Sequence, residues 1–307
     1  MPTLAGLLKP CYVFAPRTAM RRIGMSLFPF ERSVARVELP WGGVLEVNPC
    51  EGIGRELMRQ NIFDIAVSET AWRLLRPGDV AVDVGANIGY MSSLFAARVG
   101  PQGRVEAFEP HPRIFARLSH NLTGARTIGT QRAASRIALH QCALGNRDGT
   151  AYLVEPRSFR MNEGASTMAS ADGGVGDDAA PAGFEVPMAR FDSVFGDREI
   201  ALLKVDVEGF EAQVLQGAEY ALAQQRIRNL IYEAHDCERS EVHALLSGHG
   251  YAVFGIGHDL FGPCVRRGTA APGVDRRWES PSYLATLEPA EVVAALTPRG
   301  WRALKAG

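Results

Sequence analysis

Four acidic residues and two glycines stand where chemistry would need them. An apolar run from Val80 carries Asp83 and passes straight into Gly85-Ala86-Asn87-Ile88-Gly89-Tyr90. Where a strand turns sharply into a helix beside a bound ligand, a side chain at Gly85 or Gly89 would block the backbone's approach or the positive φ that such a turn needs. A second strand-like run, residues 104–108, stops at Glu109, twenty-six positions after Asp83. A carboxylate at the C-terminal end of the second parallel strand is placed to accept both hydroxyls of a ribose. Asp206 ends a further apolar run and Glu233 ends the next, with His235 and Asp236 just beyond. These groups converge on one sheet edge, so Asp206, Glu233 and His235 are candidate general bases. His235 comes first, because an unperturbed imidazole titrates nearest neutrality. Glu208 and Glu211 precede or open a helix, where carboxylates cap free N–H groups, and are read as structural.

Such residues need an α/β frame. Short β-rich runs alternate with helical patterns through the middle of the chain, which predicts a Rossmann-like, doubly wound parallel sheet with helices on both faces. The strands are expected at residues 80–84, 104–108, 137–142, 201–205, 229–233 and 251–256, with 282–287 closing the set. Apolar residues three and four apart predict helices over 87–99, 112–122, 210–224 and 239–249. Residues 1–76 read as an N-terminal extension, with a helical segment, a hairpin at 37–47 around Trp41-Gly42-Gly43, and a helix at 62–75. Residues 77–287 are expected to form the core domain and 288–307 a C-terminal helix. Within the core, 171–183 holds four Gly and three Asp. That stretch cannot pack a core, so 156–183 is expected to be a flexible insertion or lid.

The cofactor follows by elimination. A nicotinamide fingerprint needs Gly-x-Gly-x-x-Gly, whereas Gly85 is followed by Asn87 and Gly89, one glycine short of a pyrophosphate cradle. No Gly-x-x-x-x-Gly-Lys-Ser/Thr occurs. An adenosine carrying a sulfonium and an amino-acid tail in place of phosphates fits better, and that ligand is S-adenosylmethionine. A nicotinamide oxidoreductase, or a non-catalytic binding module on the same fold, stands as the alternative.

The segment Asp83-Val84-Gly85-Ala86-Asn87-Ile88-Gly89-Tyr90, with Phe108-Glu109-Pro110 behind it, resembles the FkbM family of S-adenosylmethionine-dependent methyltransferases. Leu203-Lys204-Val205-Asp206-Val207-Glu208-Gly209-Phe210-Glu211 with Val214-Leu215-Gln216-Gly217-Ala218 is similar to the family's second hallmark, and Asn229-Leu230-Ile231-Tyr232-Glu233 to the strand that follows it. The resemblance spans residues 37–254. It implies a class I methyltransferase sheet of seven strands, the last antiparallel, with adenine near the end of the third parallel strand at Gln141, Cys142 and Ala143. The expected cofactor-binding set is Asp83, Gly85, Asn87, Gly89, Glu109, Cys142, Ala143 and Asp206. Phe63 and Glu69 are candidates to reach the methionine tail, and His111 to stack near the adenosine. Ala189-Arg190-Phe191-Asp192 departs from the family's Thr-Leu-Asp element, and 156–183 aligns poorly, which leaves the acceptor open.

Methyl transfer at a sulfonium carbon is an in-line displacement, so a hydroxyl acceptor must be held opposite sulfur and deprotonated. A small-molecule or glycan acceptor is expected. Nucleic acid is not, since 33 basic against 34 acidic side chains leave a net charge of −1. Acidic spacing specifies no metal. The five cysteines lie far apart without a Cys-x-x-Cys pair, as suits a reduced, cytoplasmic protein. No run of about 18 apolar residues is long enough to cross a bilayer. Residues 1–20 lack the pattern of a secretory signal. Arg17, Arg21 and Arg22 beside Leu27, Phe28 and Phe30 allow a peripheral membrane contact as the alternative to a capping helix. Nothing in the pattern sets an oligomeric state.

Overall fold

The computed structural model describes residues 9–14, 34–123, 136–155, 167–169, 183–234, 240–268 and 281–305. The frame is an eight-stranded sheet built from β3 (Val80–Val84), β4 (Arg104–Phe108), β5 (Ile137–His140), β10 (Ile200–Val205), β11 (Ile227–Glu233), β12 (Ala252–Asp259), β13 (Gly262–Arg267) and β14 (Ser282–Thr286). Their order is β13-β12-β14-β11-β10-β3-β4-β5. The five strands from β11 to β5 are mutually parallel, and β14 runs antiparallel between β11 and β12. The seven expected strands are present with the last in sequence antiparallel. An eighth, β13, adds a hairpin to β12 and is not foreseen by the sequence pattern, because Gly262 and Pro263 break the apolar run by which a strand is recognised. The sheet reverses its strand order between β3 and β10, which is where open α/β sheets bind ligands at their carboxyl edge.

Period-two alternation sorts each strand's side chains to two cores. Leu202, Ile231 and Leu284 face one cluster, with Trp41, Leu57, Leu94 and Phe95. Leu203, Leu230, Tyr232 and Tyr283 face the other, with Phe191, Val214 and Leu246. A buried Asn229 fixes the antiparallel strand in register. Its amide donates to Ala201 O at 3.2 Å and its oxygen accepts from Thr286 Oγ1 at 2.8 Å, directly across the ladder.

The N-terminal part contributes α1 (Pro10–Val13), the hairpin β1 (Ala35–Glu38) and β2 (Val44–Val47), then α2 (Gly52–Gln60) and α3 (Ile65–Leu74). Helix α2 is not foreseen either, since Gly52 and Gly54 sit in its first turn. Gly54 is required there, because a Cβ would come 2.0 Å from Asn48 O. The helix expected from residue 87 begins instead at α4 (Tyr90–Val99), because Asn87 and Gly89 take positive φ and spend those residues in the turn. Helix α5 (Pro112–Thr123) and the short α6 (Phe191–Phe195) follow. The expected helix over 210–224 is two, α7 (Glu211–Gln216) and α8 (Glu219–Ala223). They break at Gly217, where the backbone comes so close that a Cβ would stand 1.9 Å from Gly145 O, and Asp192 accepts the N–H groups of Tyr220 and Ala221 at the start of α8. Helix α9 (Glu241–Gly248) covers the far strands. The C-terminal region holds α10 (Pro289–Leu296) and a 3₁₀ turn at Ala303–Lys305 rather than one helix.

A second sheet, which local pattern does not reveal as a unit, consists of β6 (Ala143–Leu144), β7 (Gly149–Val154), β8 (Thr167–Ala169) and β9 (Gly183–Ala189), in the order β6-β9-β7-β8. The expected insertion at 156–183 is therefore partly strand, with Thr167–Ala169 pairing on β7. Gly183 opens β9, and residues 156–166 and 170–182, like residues 15–33, lie outside the described residues. Among the described residues no helix is long and apolar enough to cross a membrane.

Candidate functional site

The carboxyl ends of β3, β4, β10 and β11 open into a cavity of about 960 Å³. Gly85 lets two of those ends meet. Its φ is +77°, and a Cβ there would lie 1.8 Å from Asp206 O and 3.4 Å from the Val207 side chain. The N–H groups of Gly85 and Ala86 both donate to Phe108 O, at 3.0 and 2.9 Å, which locks the turn against β4. Gly89 serves another purpose. A Cβ on it would press on Leu118 and Leu122 at 2.9 Å, so it admits α5, and it does not border the cavity.

Glu109, 6% exposed, ends β4 at the cavity wall. Its two oxygens accept one backbone N–H each, from Asn87 at 3.0 Å and from His111 at 2.9 Å. Each oxygen keeps lone pairs for a further donor. Burial pushes this carboxyl up to about 7, against the pull of those two N–H groups. Asp83 is wholly buried. It lines the cavity; its Oδ2 accepts from Ser92 Oγ, whereas the buried Oδ1 has no hydrogen-bond partner among the described residues and lies 3.8 Å from Lys204 Nζ. Burial raises its pKa above the usual carboxylate range. Cys142 and Ala143 border the cavity at the start of the second sheet, and burial raises the Cys142 thiol.

Asp206 projects at the end of β10 with about a third of its side chain exposed, and Lys204 Nζ donates to its Oδ2 at 2.8 Å. Burial opposes the charge on Lys204, but the carboxylates of Asp206 and Asp83 win and hold the ammonium above its ordinary pKa. Lys204 is a site residue that sequence reasoning misses. Its signal is a lysine inside an otherwise apolar strand, a residue type rarely buried unless paired. Glu233 lies across from it at the end of β11, and burial, then the nearby Asp206, push its pKa well above the carboxyl range. Glu211 is structural, accepting from Val207 N and Gly209 N, and Glu208 takes φ +52° at the cavity rim. His235 and Asp236 lie outside the described residues.

Two of the wider candidates are placed elsewhere. Glu69 does not reach the cavity. Fully buried on α3, it accepts from Arg73 Nε at 2.6 Å and from the N–H groups of Arg302 and Ala303, while Arg73 donates to the carbonyls of Ala295, Pro298 and Gly300. The pair fastens the C-terminal segment to α3. The His111 ring is neither solvated nor on the cavity but buried against Glu155 and Phe184. Phe63 does border the cavity, edge-on to Tyr90, whose hydroxyl accepts its N–H.

The arrangement has a backbone cradle that a Cβ would fill, a carboxylate with free lone pairs at the second strand end, and an orphaned buried carboxylate oxygen beside them. It fits an adenosine whose tail carries positive charge and hydrogen-bond donors, with volume to spare for a second reactant. Residues 83–253 match the family model described as the Methyltransferase FkbM domain. The chain is 35% identical over 212 residues to the 31-O-demethyl-FK506 methyltransferase FkbM of Streptomyces tacrolimicus, covering 61% of this chain and 78% of that protein. It is 28% identical over 220 residues to the methyltransferase sdnD of Sordaria araneosa, covering 66% and 82%. It is 30% identical over 164 residues to the hexuronic acid methyltransferase AglP of Haloferax volcanii, covering 51% and 56%. This chain belongs to the FkbM methyltransferase family, and the cofactor it takes is S-adenosylmethionine.

Proposed function

We propose that the protein transfers the methyl group to a hydroxyl oxygen of a saccharide, glycolipid or secondary-metabolite acceptor, with Asp206 as the general base. One observation carries this: Asp206 is a partly exposed carboxylate on the cavity whose Oδ2 is paired at 2.8 Å to the buried Lys204 ammonium, beside the glycine turn. Bound S-adenosylmethionine supplies an electrophilic methyl on a sulfonium. Glu109 receives the ribose hydroxyls, the Gly85–Asn87 backbone lies along the tail, Asp83 faces its charged end, and Cys142 and Ala143 wall the adenine. Lys204 holds Asp206 in place. Its charge also favours a nearby alkoxide forming as the acceptor proton leaves. Glu233 keeps its own proton at neutral pH, so it donates a hydrogen bond to the acceptor rather than taking a proton. His235 stays a second candidate base on its place in the chain, two residues beyond Glu233.

Two relatives act, by name, on an O-demethylated compound and on a hexuronic acid, which supports an oxygen acceptor. The test is a panel of hydroxylated acceptors, macrolides and hexuronosides among them, incubated with isotopically labelled S-adenosylmethionine. Transfer to oxygen that Asp206→Asn abolishes, while S-adenosylhomocysteine still binds, is the expected result. A methyl found only on nitrogen, sulfur or carbon would overturn the proposal.

A further inference from the structure

His111 uses every polar group it has. It stands immediately before α5, its C=O accepting the first helical bond from Phe115 N at 2.8 Å. Its ring Nδ1 accepts from Arg113 N at 3.2 Å, so the ring caps the helix as a shorter polar side chain would. With Nδ1 used as an acceptor, the ring proton sits on Nε2, 2.9 Å from Glu155 Oε1 at the end of β7. The Phe184 ring of β9 meets the imidazole edge-on at 5.1 Å. The remaining group, the backbone N–H, donates to Glu109 Oε1 at 2.9 Å. The residue is 1% exposed, and it does not border the cavity.

Capping alone does not call for histidine. Asn, Asp or Ser at this position would accept the same N–H and leave the second sheet untouched. What the imidazole adds is span: one ring nitrogen serves the helix and the other reaches across to Glu155. The residue that orients half of the Glu109 carboxylate is thereby held from two sides, by α5 and by the second sheet.

We infer that His111 and Glu155 form a positioning pair for the cofactor, bracing the backbone N–H that aims the Glu109 carboxylate at the ribose, so that the second sheet takes part in cofactor affinity without touching the cofactor. This rests on Glu109 as the ribose ligand, and the experiment separates the two claims.

The probe is calorimetric titration with S-adenosylhomocysteine, which needs no acceptor. His111→Asn retains the cap and loses the bond to Glu155, and Glu155→Ala loses the same bond from the other side. Glu155→Gln keeps an acceptor for the ring N–H. His111→Asn and Glu155→Ala are each expected to weaken binding by roughly three- to tenfold, the range that one disturbed hydrogen bond commands, with melting temperatures close to that of the parent. Glu155→Gln should bind nearly as the parent does. In a Glu109→Ala background, itself much weakened, adding either change should cost nothing more, because nothing is left to aim. Parental affinity in His111→Asn and Glu155→Ala, with Glu109→Ala impaired, overturns the positioning pair and leaves the ribose contact standing. An equal loss with and without Glu109 shows a general structural effect and overturns it too. Parental affinity in Glu109→Ala overturns the ribose contact itself.

Discussion

Replacing Glu109 by Gln tests whether the proposed ribose carboxylate costs the fold stability. In the folded chain this carboxyl titrates at about 7, against an ordinary 4.5, with burial as the main cause. A raised carboxyl pKa means that the native state binds more protons than the unfolded chain between those two values. Stability then falls as pH rises from about 4.5 to about 7, and is level beyond. The gap between 4.5 and about 7 corresponds to about 3 kcal/mol lost at pH 8 relative to pH 4. The neutral amide of Glu109→Gln carries no such cost. It does, however, turn an NH₂ toward one of the two N–H donors, Asn87 or His111, at a cost of about 1–2 kcal/mol at every pH. The difference between parent and variant in urea denaturation should therefore change sign. Below pH 5 the parent is more stable by about 1–2 kcal/mol, and at pH 8 the variant is more stable by a similar amount. Other titrating groups, Asp83 and Glu233 among them, are common to both chains and cancel to first order in the difference. The same variant should bind S-adenosylhomocysteine more weakly at either pH. A parent–variant difference that is constant from about pH 4.5 to pH 8 would refute the reasoning, since it would show that Glu109 does not titrate in this window.

The two glycines of the turn should respond differently to Ala. At Gly85 a Cβ meets backbone, Asp206 O at 1.8 Å, at φ +77°, so Gly85→Ala is expected to cost more than about 3 kcal/mol and to remove S-adenosylhomocysteine binding. At Gly89 it meets side chains and no backbone, Leu118 Cδ1 and Leu122 Cγ at 2.9 Å, and Gly89→Ala should cost about 1–2 kcal/mol, mostly for its φ of +93°, and spare most of the affinity. Denaturation and titration of the pair check this, and equal losses in both would show that the turn is not differentiated. Arg73→Met strands the buried Glu69 and frees three carbonyls of the C-terminal segment, so a loss of about 3–5 kcal/mol is expected in urea denaturation. A loss below about 1 kcal/mol would show that α10 packing and the Glu69 bonds to Arg302 and Ala303 hold the segment without Arg73.

The parts of this protein that its sequence determined are those written in local pattern. Apolar runs of period two and helical stripes of period 3.6 mark strands and helices by which side chains must leave water, and that is enough to name a doubly wound sheet. The sharp turn at Gly85 and a carboxylate at the end of the second strand were legible because a strand end followed by Gly, and an acidic residue closing the next strand, have few uses, whereas Gly89, expected at the ligand, packs against α5. Where local pattern and global packing disagreed, the structure decided. Helix α4 starts late because Asn87 and Gly89 take positive φ, α7 and α8 part because Gly217 abuts Gly145, and the second sheet pairs β6 with β9 across a long gap in sequence. Burial and pairing are tertiary facts as well. Nothing adjacent to Glu69 in sequence announces that it binds the N–H groups of Arg302 and Ala303, and nothing around His111 announces Glu155. Lys204 and Asp206 are two residues apart, but the position of Asp83 beside them follows from the register of β10 on β3. A sequence states which groups a chain carries. Only folding removes water from around them, and that removal sets which carboxyl of this site keeps its proton and which lysine keeps its charge.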